Sequence, residues 1–236
     1  MKNIDDVAKW GREWQKSDTE IASHTITKDR ARLLVPAYIE FLRAKTNSNL
    51  NNIKHALDIG AGAGYISAAF EEFSHIQMTA SEWSTEGVDL IKRHNPQLSI
   101  RSLDIMQFNE KNTFDLILCR ELYPFTRVNS FTDQYQIISR VIDALNPGGV
   151  FLFVSSDISF PHCADYKLLM KLFRKDNRLQ LVSEPYLEPV VLRVTKFSFL
   201  GNVRYRLANL FGEFVMYLNK RRGWAAIRLI AFQKQN

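Results

Sequence analysis

Two spacings of apolar residues alternate along this chain. Over residues 4–16, Ile4, Val7, Ala8, Trp10 and Trp14 recur at helical steps, which predicts a helix. Residues 17–26 are polar and read as a loop. Thr27 stands where an N-cap would, ahead of Ala31, Leu34, Ile39 and Leu42 at helical spacing. Pro36 falls inside that run and is expected to kink the helix or divide it. Asn47-Ser48-Asn49 and Asn51-Asn52 break the pattern, so residues 1–50 are expected to form a helical cap before a domain spanning 51–236.

From there, short apolar runs alternate with helical stretches. Strands are predicted over 55–59, 76–81, 98–103, 114–119 and 150–155, with further candidates over 180–184 and 225–233. Helices are predicted over 65–73, 85–94, 133–145 and 165–175. Asn95-Pro96 ends the second of these, and Asn146-Pro147-Gly148-Gly149 closes the third. The run Val150–Ser155 is nearly all apolar, as in a strand buried on both faces. Strands alternating with helices imply parallel βαβ units. The expected fold is α/β: a Rossmann-like, doubly wound, mostly parallel seven-stranded sheet with helices on both faces. Between the last two strands, about 190–224, lies an aromatic and basic insertion. There Val203, Leu207, Leu210, Phe214 and Leu218 predict an amphipathic helix over 202–219.

Composition narrows the class. The chain has 236 residues, 46% hydrophobic and 24% charged, which suits one sizeable core and excludes a disordered chain. The net charge of +6 is concentrated: beyond residue 190 there are nine Lys/Arg against the single acid Glu213, and the remainder is slightly acidic. This is a basic end on a near-neutral body, not a uniformly basic nucleic-acid binder. Cys119 and Cys163 follow no metal-ligand or disulfide-framework spacing, so no metal is expected and a reduced, cytoplasmic setting is. The polar start, Met1–Asp6, has no signal-peptide core, and no run of about 18 apolar residues suggests a membrane span.

The chemistry gathers at Leu57-Asp58-Ile59-Gly60-Ala61-Gly62-Ala63-Gly64-Tyr65, between the first predicted strand and its helix. Alternate glycines leave the backbone bare, so a ligand can approach it closely, and the helix start points free N–H groups at the same place. The dinucleotide fingerprint needs a third glycine where Tyr65 stands, and the P-loop needs Gly-Lys-Ser/Thr; both are absent. Glu82 ends the second strand, about twenty residues on, where an acid accepts from ribose hydroxyls. Asp104 ends the third and can accept from an adenine amine, with the Ile105 backbone against the ring and Trp83 against its face. Asp104 equally suits a turn, and Trp83 equally suits the core.

Taken together these residues resemble the class I S-adenosylmethionine-dependent methyltransferases. The matching segments are Leu57–Tyr65, Thr79–Glu86, Ser102–Phe108, Phe114–Glu121 and Ala144–Phe153, and Asn146-Pro147-Gly148-Gly149 is similar to the family's turn before strand five. The resemblance implies S-adenosyl-L-methionine as cofactor. It places Asp58, Gly60, Gly62 and Gly64 around the methionine moiety, Glu82 at the ribose and Asp104 at the adenine. Cys119 and Arg120 would border the sulfonium and amino-acid end. Cys119 also reads as a small buried hydrophobe, and Arg120 either binds the cofactor carboxylate or is exposed.

The loop after strand four, Glu121-Leu122-Tyr123-Pro124-Phe125, would face the transferred methyl. It lacks the Asn/Asp-Pro-Pro-aromatic motif of base-amine methylating members. Glu121 matches the Glu-x-x-x-His arrangement of small-molecule members, but Phe125 stands at the His position. Glu121 and Tyr123 are the candidate catalytic residues, with His24 and His162 as weaker candidate bases. The acceptor side would be built from the N-terminal helices, including Trp10 and Trp14, and the 190–224 insertion. A lid over a small-molecule acceptor ranks first, because no RNA-binding module is visible. An anionic membrane surface or RNA, gripped through residues 193–222, are the alternatives. A non-catalytic cofactor-binding protein is the rival from another class.

Overall fold

The computed structural model describes residues 26–46, 50–122, 125, 131–156, 166–181, 183, 186–194, 200, 203–219 and 227–235. The predicted helix over 4–16, with Trp10 and Trp14, lies outside them. Helix α1 (Lys28–Lys45) starts as expected at Thr27, whose side chain accepts from the Arg30 N–H. Pro36 neither splits nor ends it. The proline lies on the exposed side, so the Arg32 carbonyl that it leaves without a donor is on the solvent side of the helix.

After α1 come β1 (Ala56–Ile59), α2 (Tyr65–Ser74), β2 (Met78–Glu82), α3 (Thr85–His94), β3 (Ser99–Ser102) and β4 (Phe114–Arg120). The second half comprises α4 (Phe131–Ala144), β5 (Leu145–Ser156), α5 (Tyr166–Lys175), β6 (Leu179–Leu181), β7 (Tyr186–Leu187), α6 (Glu188–Val194), α7 (Val203–Asn219) and β8 (Ile227–Lys234). The sheet order is β3-β2-β1-β4-β5-β8-β6, with β7 also paired to β8. Strands β1 to β5 are parallel, and β8 runs antiparallel between β5 and the short pair β6 and β7. The doubly wound, mostly parallel sheet is thus borne out, with eight strands where seven were expected.

The predicted 180–184 segment forms only the short β6, Leu179–Leu181, and the extra strand is β7, Tyr186–Leu187, beyond it. Ser183 Oγ accepts the Ala231 N–H at 2.9 Å, so a side chain takes over a ladder position between β6 and β7. Pro185, which follows, has no N–H to offer a ladder. The Asn146–Gly149 segment, expected as a turn, belongs instead to the start of β5. Leu145 pairs with Phe114 and the register shifts before Leu116, a bulge that uses Gly148 at φ 74°.

Alternation along the strands divides the core into two layers. Leu116, Leu118, Leu152 and Leu229 face α1, α2 and α6, where Leu34, Phe41, Phe70 and Val191 are buried. Ile117, Cys119, Phe153 and Ile230 face α4 and α5, where Ile138, Val141, Met170 and Phe173 are buried. Each such fully buried side chain contributes about 1.5–3 kcal/mol. The parallel strands therefore hold the carboxyl ends of β1, β2, β3 and β4 side by side along one edge. No helix among the described residues is long and apolar enough to cross a membrane.

Candidate cofactor and active site

Strand β1 lies between β2 and β4, and all four of its residues are buried. At its carboxyl end the chain turns through Gly60, Gly62 and Gly64 at φ 73°, 60° and 77°. The Gly60 and Ala61 N–H groups both donate to the Ser81 carbonyl, at 3.0 and 2.9 Å, and the Gly62 N–H donates to Glu82 Oε1 at 2.8 Å. Asn95 Nδ2 holds the Ala63 carbonyl at 2.8 Å. The loop is thus clasped to the end of β2 and to the end of α3. A Cβ on Gly60 would lie 2.6 Å from Leu122 Cδ1, so the glycine both permits the left-handed backbone and admits the loop that follows β4. A Gly60→Ala variant should lose about 1–3 kcal/mol by thermal melt. Leu122→Ala in the same chain should relieve the clash but not the backbone strain. An unchanged melting temperature for the single variant would contradict this account.

Two carboxylates flank the loop. Asp58 is 2% exposed and accepts from Ser67 Oγ at 2.6 Å, and Ser81 Oγ donates to its carbonyl at 2.9 Å. Burial raises the Asp58 carboxyl to a pKa of about 6, against the opposing pull of Ser67 and Arg120. Glu82 is 5% exposed and is raised to about 7, chiefly by burial and secondarily by Asp58, despite the N–H groups of Gly62 and Trp83. Its Oε2 accepts from the Trp83 N–H at 3.3 Å. A carboxylate has about four lone-pair sites, so each oxygen keeps one for a ligand hydroxyl. Asp58, Gly60, Gly62, Gly64 and Glu82 thus lie together at the carboxyl ends of β1 and β2. The Trp83 ring is half-buried beside them.

The other candidates lie differently. Asp104 forms the turn after β3: Oδ1 accepts from the Met106 N–H at 3.0 Å and Oδ2 from Gln107 Nε2 at 3.3 Å. Ile105 points its side chain into the core, and its carbonyl accepts from Arg140 at 3.2 Å. Cys119 is buried, and burial pushes its thiol well above the ordinary range, which suits packing and not chemistry.

Arg120 is not exposed but held in a network. Its Nε donates to the Tyr38 hydroxyl at 3.3 Å, and its NH2 donates to Glu188 Oε1 at 3.2 Å and Oε2 at 3.4 Å. The Tyr38 hydroxyl donates to Glu188 as well. Burial works against the Arg120 charge, but Tyr38 and Glu188 outweigh it and hold its pKa above the ordinary value. Burial, joined by Glu188, raises that of Tyr38.

After β4 the backbone of Glu121 adopts φ 50°, an uncommon conformation for a non-glycine residue, fixed by its N–H on the Val154 carbonyl at 2.8 Å. Phe125, at the position where a His base would stand, is buried edge-on against Phe153 with ring centroids 5.1 Å apart. Tyr123, His24 and His162 lie outside the described residues.

Sequence reasoning missed Ser67, Tyr38 and Glu188. Ser67 was accessible, as one small polar residue on the apolar face of α2. Tyr38 and Glu188 were not, because no spacing rule joins them to Arg120. A polar depression of about 580 Å³, lined by Lys54, His55, Glu71 and His75, lies at the opposite edge, where Ala56, Met78, Ser99 and Phe114 begin their strands. Ligands of open α/β sheets bind outside the carboxyl ends, which favours the glycine loop over this depression.

Comparison with known proteins bears on the fold and the family. A family profile described as a methyltransferase domain matches residues 50–192, from just before β1 into α6. No curated protein sequence matches the chain. Among solved structures, a putative sarcosine dimethylglycine methyltransferase from Galdieria sulphuraria aligns at 12% identity and a TM-score of 0.57, covering 87% of this chain and 86% of that one. Phosphoethanolamine N-methyltransferase 2 of Haemonchus contortus, in complex with S-adenosyl-L-methionine, aligns at 16% identity and 0.53, covering 89% of this chain and 58% of that one. The [4+2]-cyclase SpnF aligns at 13% and 0.53, covering 84% and 80%, so likeness at this level speaks for the fold alone. The family profile covers more than half of the chain, and the chain belongs to the class I S-adenosylmethionine-dependent methyltransferases, a family of enzymes.

Proposed function

We propose that this protein transfers the methyl group of S-adenosyl-L-methionine to a small-molecule acceptor by in-line displacement. The observation that carries the reading is the pair of buried carboxylates, Asp58 and Glu82, on either side of a loop whose glycines all have positive φ. The residues present fit the cofactor. Glu82 keeps acceptor sites for two ribose hydroxyls, Asp58 sets negative charge toward a cationic amino-acid end, and Asp104 with the Ile105 backbone would border the adenine. When bound, the cofactor supplies a methyl carbon already activated by its sulfonium.

The chain's own contribution is then mainly alignment. The clasp of Gly60, Ala61 and Gly62 onto β2 fixes the floor of the cleft, and Leu122 closes against Gly60. Glu121, held at one end of the following loop, is the candidate base for an acceptor that enters protonated, a service worth about 10²–10⁴-fold. Phe125 supplies none. Support for a small acceptor comes from the solved proteins named above, whose own names give sarcosine, dimethylglycine or phosphoethanolamine, and from the near-neutral charge of the cofactor half.

Calorimetry with S-adenosyl-L-methionine tests the donor, and transfer of a labelled methyl into fractionated small metabolites, RNA and lipid tests the acceptor. Absence of binding would overturn the donor assignment, and label confined to RNA or lipid would overturn the acceptor class. Binding should also depend on pH. Ribose hydroxyls and a cationic ligand favour ionised carboxylates, and those of the free protein ionise only near pH 6 and 7. Affinity should therefore fall about twenty-fold from pH 8 to pH 6, and Glu82→Gln should reduce the fall to about two-fold. A parent profile that is already flat would refute this.

A further inference from the structure

The first turn of α7 carries charge of the wrong sign for its place. A helix N-terminus favours anions, yet this turn holds Arg204 and Arg206 and no acid. Lys45, at the end of α1, adds a third cation: its ammonium lies 5.0 Å from the ring centroids of both Tyr186 and Tyr205, and the Arg204 guanidinium lies 4.9 Å from the Tyr205 ring. Burial, reinforced by Arg206 and Arg204, holds the Lys45 pKa below its ordinary value. Arg204 is 5% exposed, and only its NH2 group is paired, to Glu40 and the Tyr205 hydroxyl. Among the described residues its Nε and NH1 have no hydrogen-bond partner. Three of five guanidinium N–H groups are thus buried without a described acceptor, and the Arg204 charge lies incompletely compensated just beneath the surface.

The same helix carries an apolar stripe. Val203, Leu207, Leu210, Phe211 and Phe214 follow one another at helical steps, and each is 58–70% exposed. The opposite face is the packed one, with Tyr205 buried and Gly212 against Val190 and Leu187. An outward apolar stripe beside a cationic cluster matches a surface that is oily and negative. A second copy of the chain fits less well, since an isologous contact through this face would bring two cationic clusters together. RNA fits less well too, since three of the five stripe residues are aliphatic and offer no ring for a base to stack on.

We propose that Arg206 and Lys45 receive the phosphate of an anionic lipid, with the buried Arg204 charge behind them, while the apolar stripe of α7 enters the bilayer interface. The protein would then work at a membrane surface without crossing it. This goes beyond the methyl-transfer reading and does not depend on it.

The test is sedimentation of the full chain with phosphatidylglycerol-containing vesicles and with pure phosphatidylcholine vesicles. Binding should require the anionic lipid and weaken with salt. Arg206→Glu reverses one exposed charge and should weaken it about thirty-fold, at about five-fold per charge unit. Leu210→Asp should weaken it at least about ten-fold. Both positions are exposed, so circular dichroism melts should match the parent. No binding to anionic vesicles, equal binding to both vesicle types, or binding that survives Leu210→Asp would overturn the proposal. So would three other results: inorganic phosphate protecting the Arg206-dependent site while vesicles do nothing; RNA binding that needs Arg206 but not Leu210; or a dimer in sedimentation velocity that Leu210→Asp dissociates.

Discussion

An Asp58→Asn variant should melt at a higher temperature than the parent at pH 8 and should bind S-adenosyl-L-methionine about a hundred-fold more weakly. The two effects have one origin. The Asp58 carboxyl is buried and titrates near 6 instead of in the ordinary carboxylate range. An acid whose pKa is raised in the folded state keeps its proton there while the unfolded chain has already lost it. Stability therefore falls as pH rises from the unfolded value to the folded one, and the whole cost stands above it. Here that window runs from about pH 4 to about pH 6. Above it the cost is on the order of 1–3 kcal/mol, and the amide removes it while still accepting from Ser67 Oγ. The gain should shrink at pH 5, where the parent carboxyl is largely protonated as well. What the amide cannot do is present a negative charge to the cationic end of the cofactor, a charge-assisted contact of about 1.5–3 kcal/mol. Thermal melts at pH 5 and pH 8, with calorimetry at pH 8, check both halves. A lower melting temperature at pH 8, or affinity within a few-fold of the parent, would show that Asp58 is a structural acid and not a ligand for the cofactor.

Arg120→Met should be the most damaging single substitution at the cleft, costing about 3–5 kcal/mol. The Glu188 side chain is 1% exposed, and removal of its main cation leaves a buried carboxylate with only the Tyr38 hydroxyl and a distant Arg30, 3.9 Å away. A second substitution, Glu188→Leu, should restore most of the loss, because the pair is then replaced by apolar groups of similar volume. Denaturant unfolding of the two single variants and the double gives the coupling energy directly. Additive losses would mean that the two residues do not act as a pair. The network ties α1 through Tyr38, β4 through Arg120 and α6 through Glu188, so it joins two helices to the carboxyl end of a central strand.

What the sequence disclosed follows the range of the interactions. The glycine loop, Glu82 and the strand–helix alternation depend on neighbours within about twenty residues, so spacing alone revealed them. The N-cap at Thr27 is equally local. The Arg120 contacts reach 82 residues to Tyr38 and 68 to Glu188, and no periodicity encodes a pairing of that length. Of the two outcomes expected at Pro36, division did not occur, because the side of the helix on which it falls is set by tertiary packing. Asp104 is different: an acid that ends a strand suits both a turn and an adenine, and its hydrogen bonds to Met106 and Gln107 form the turn without deciding on the adenine. The division of β6 from β7 turned on one serine hydroxyl reaching across to β8.

The position of β8 has a consequence for how such a protein changes over generations. Both β6 and β7 hydrogen-bond into the sheet through β8, while the cleft residues Asp58 and Glu82 sit on β1 and β2, across β4 and β5 from it. The packed face of α7, with Tyr205 in the core, is constrained, whereas its outward face is not. Substitutions on that exposed face, away from such contacts, usually stay within about 0.5 kcal/mol. That face of α7 can be recoded for a different surface or a different acceptor while the register of the cofactor strands is left untouched.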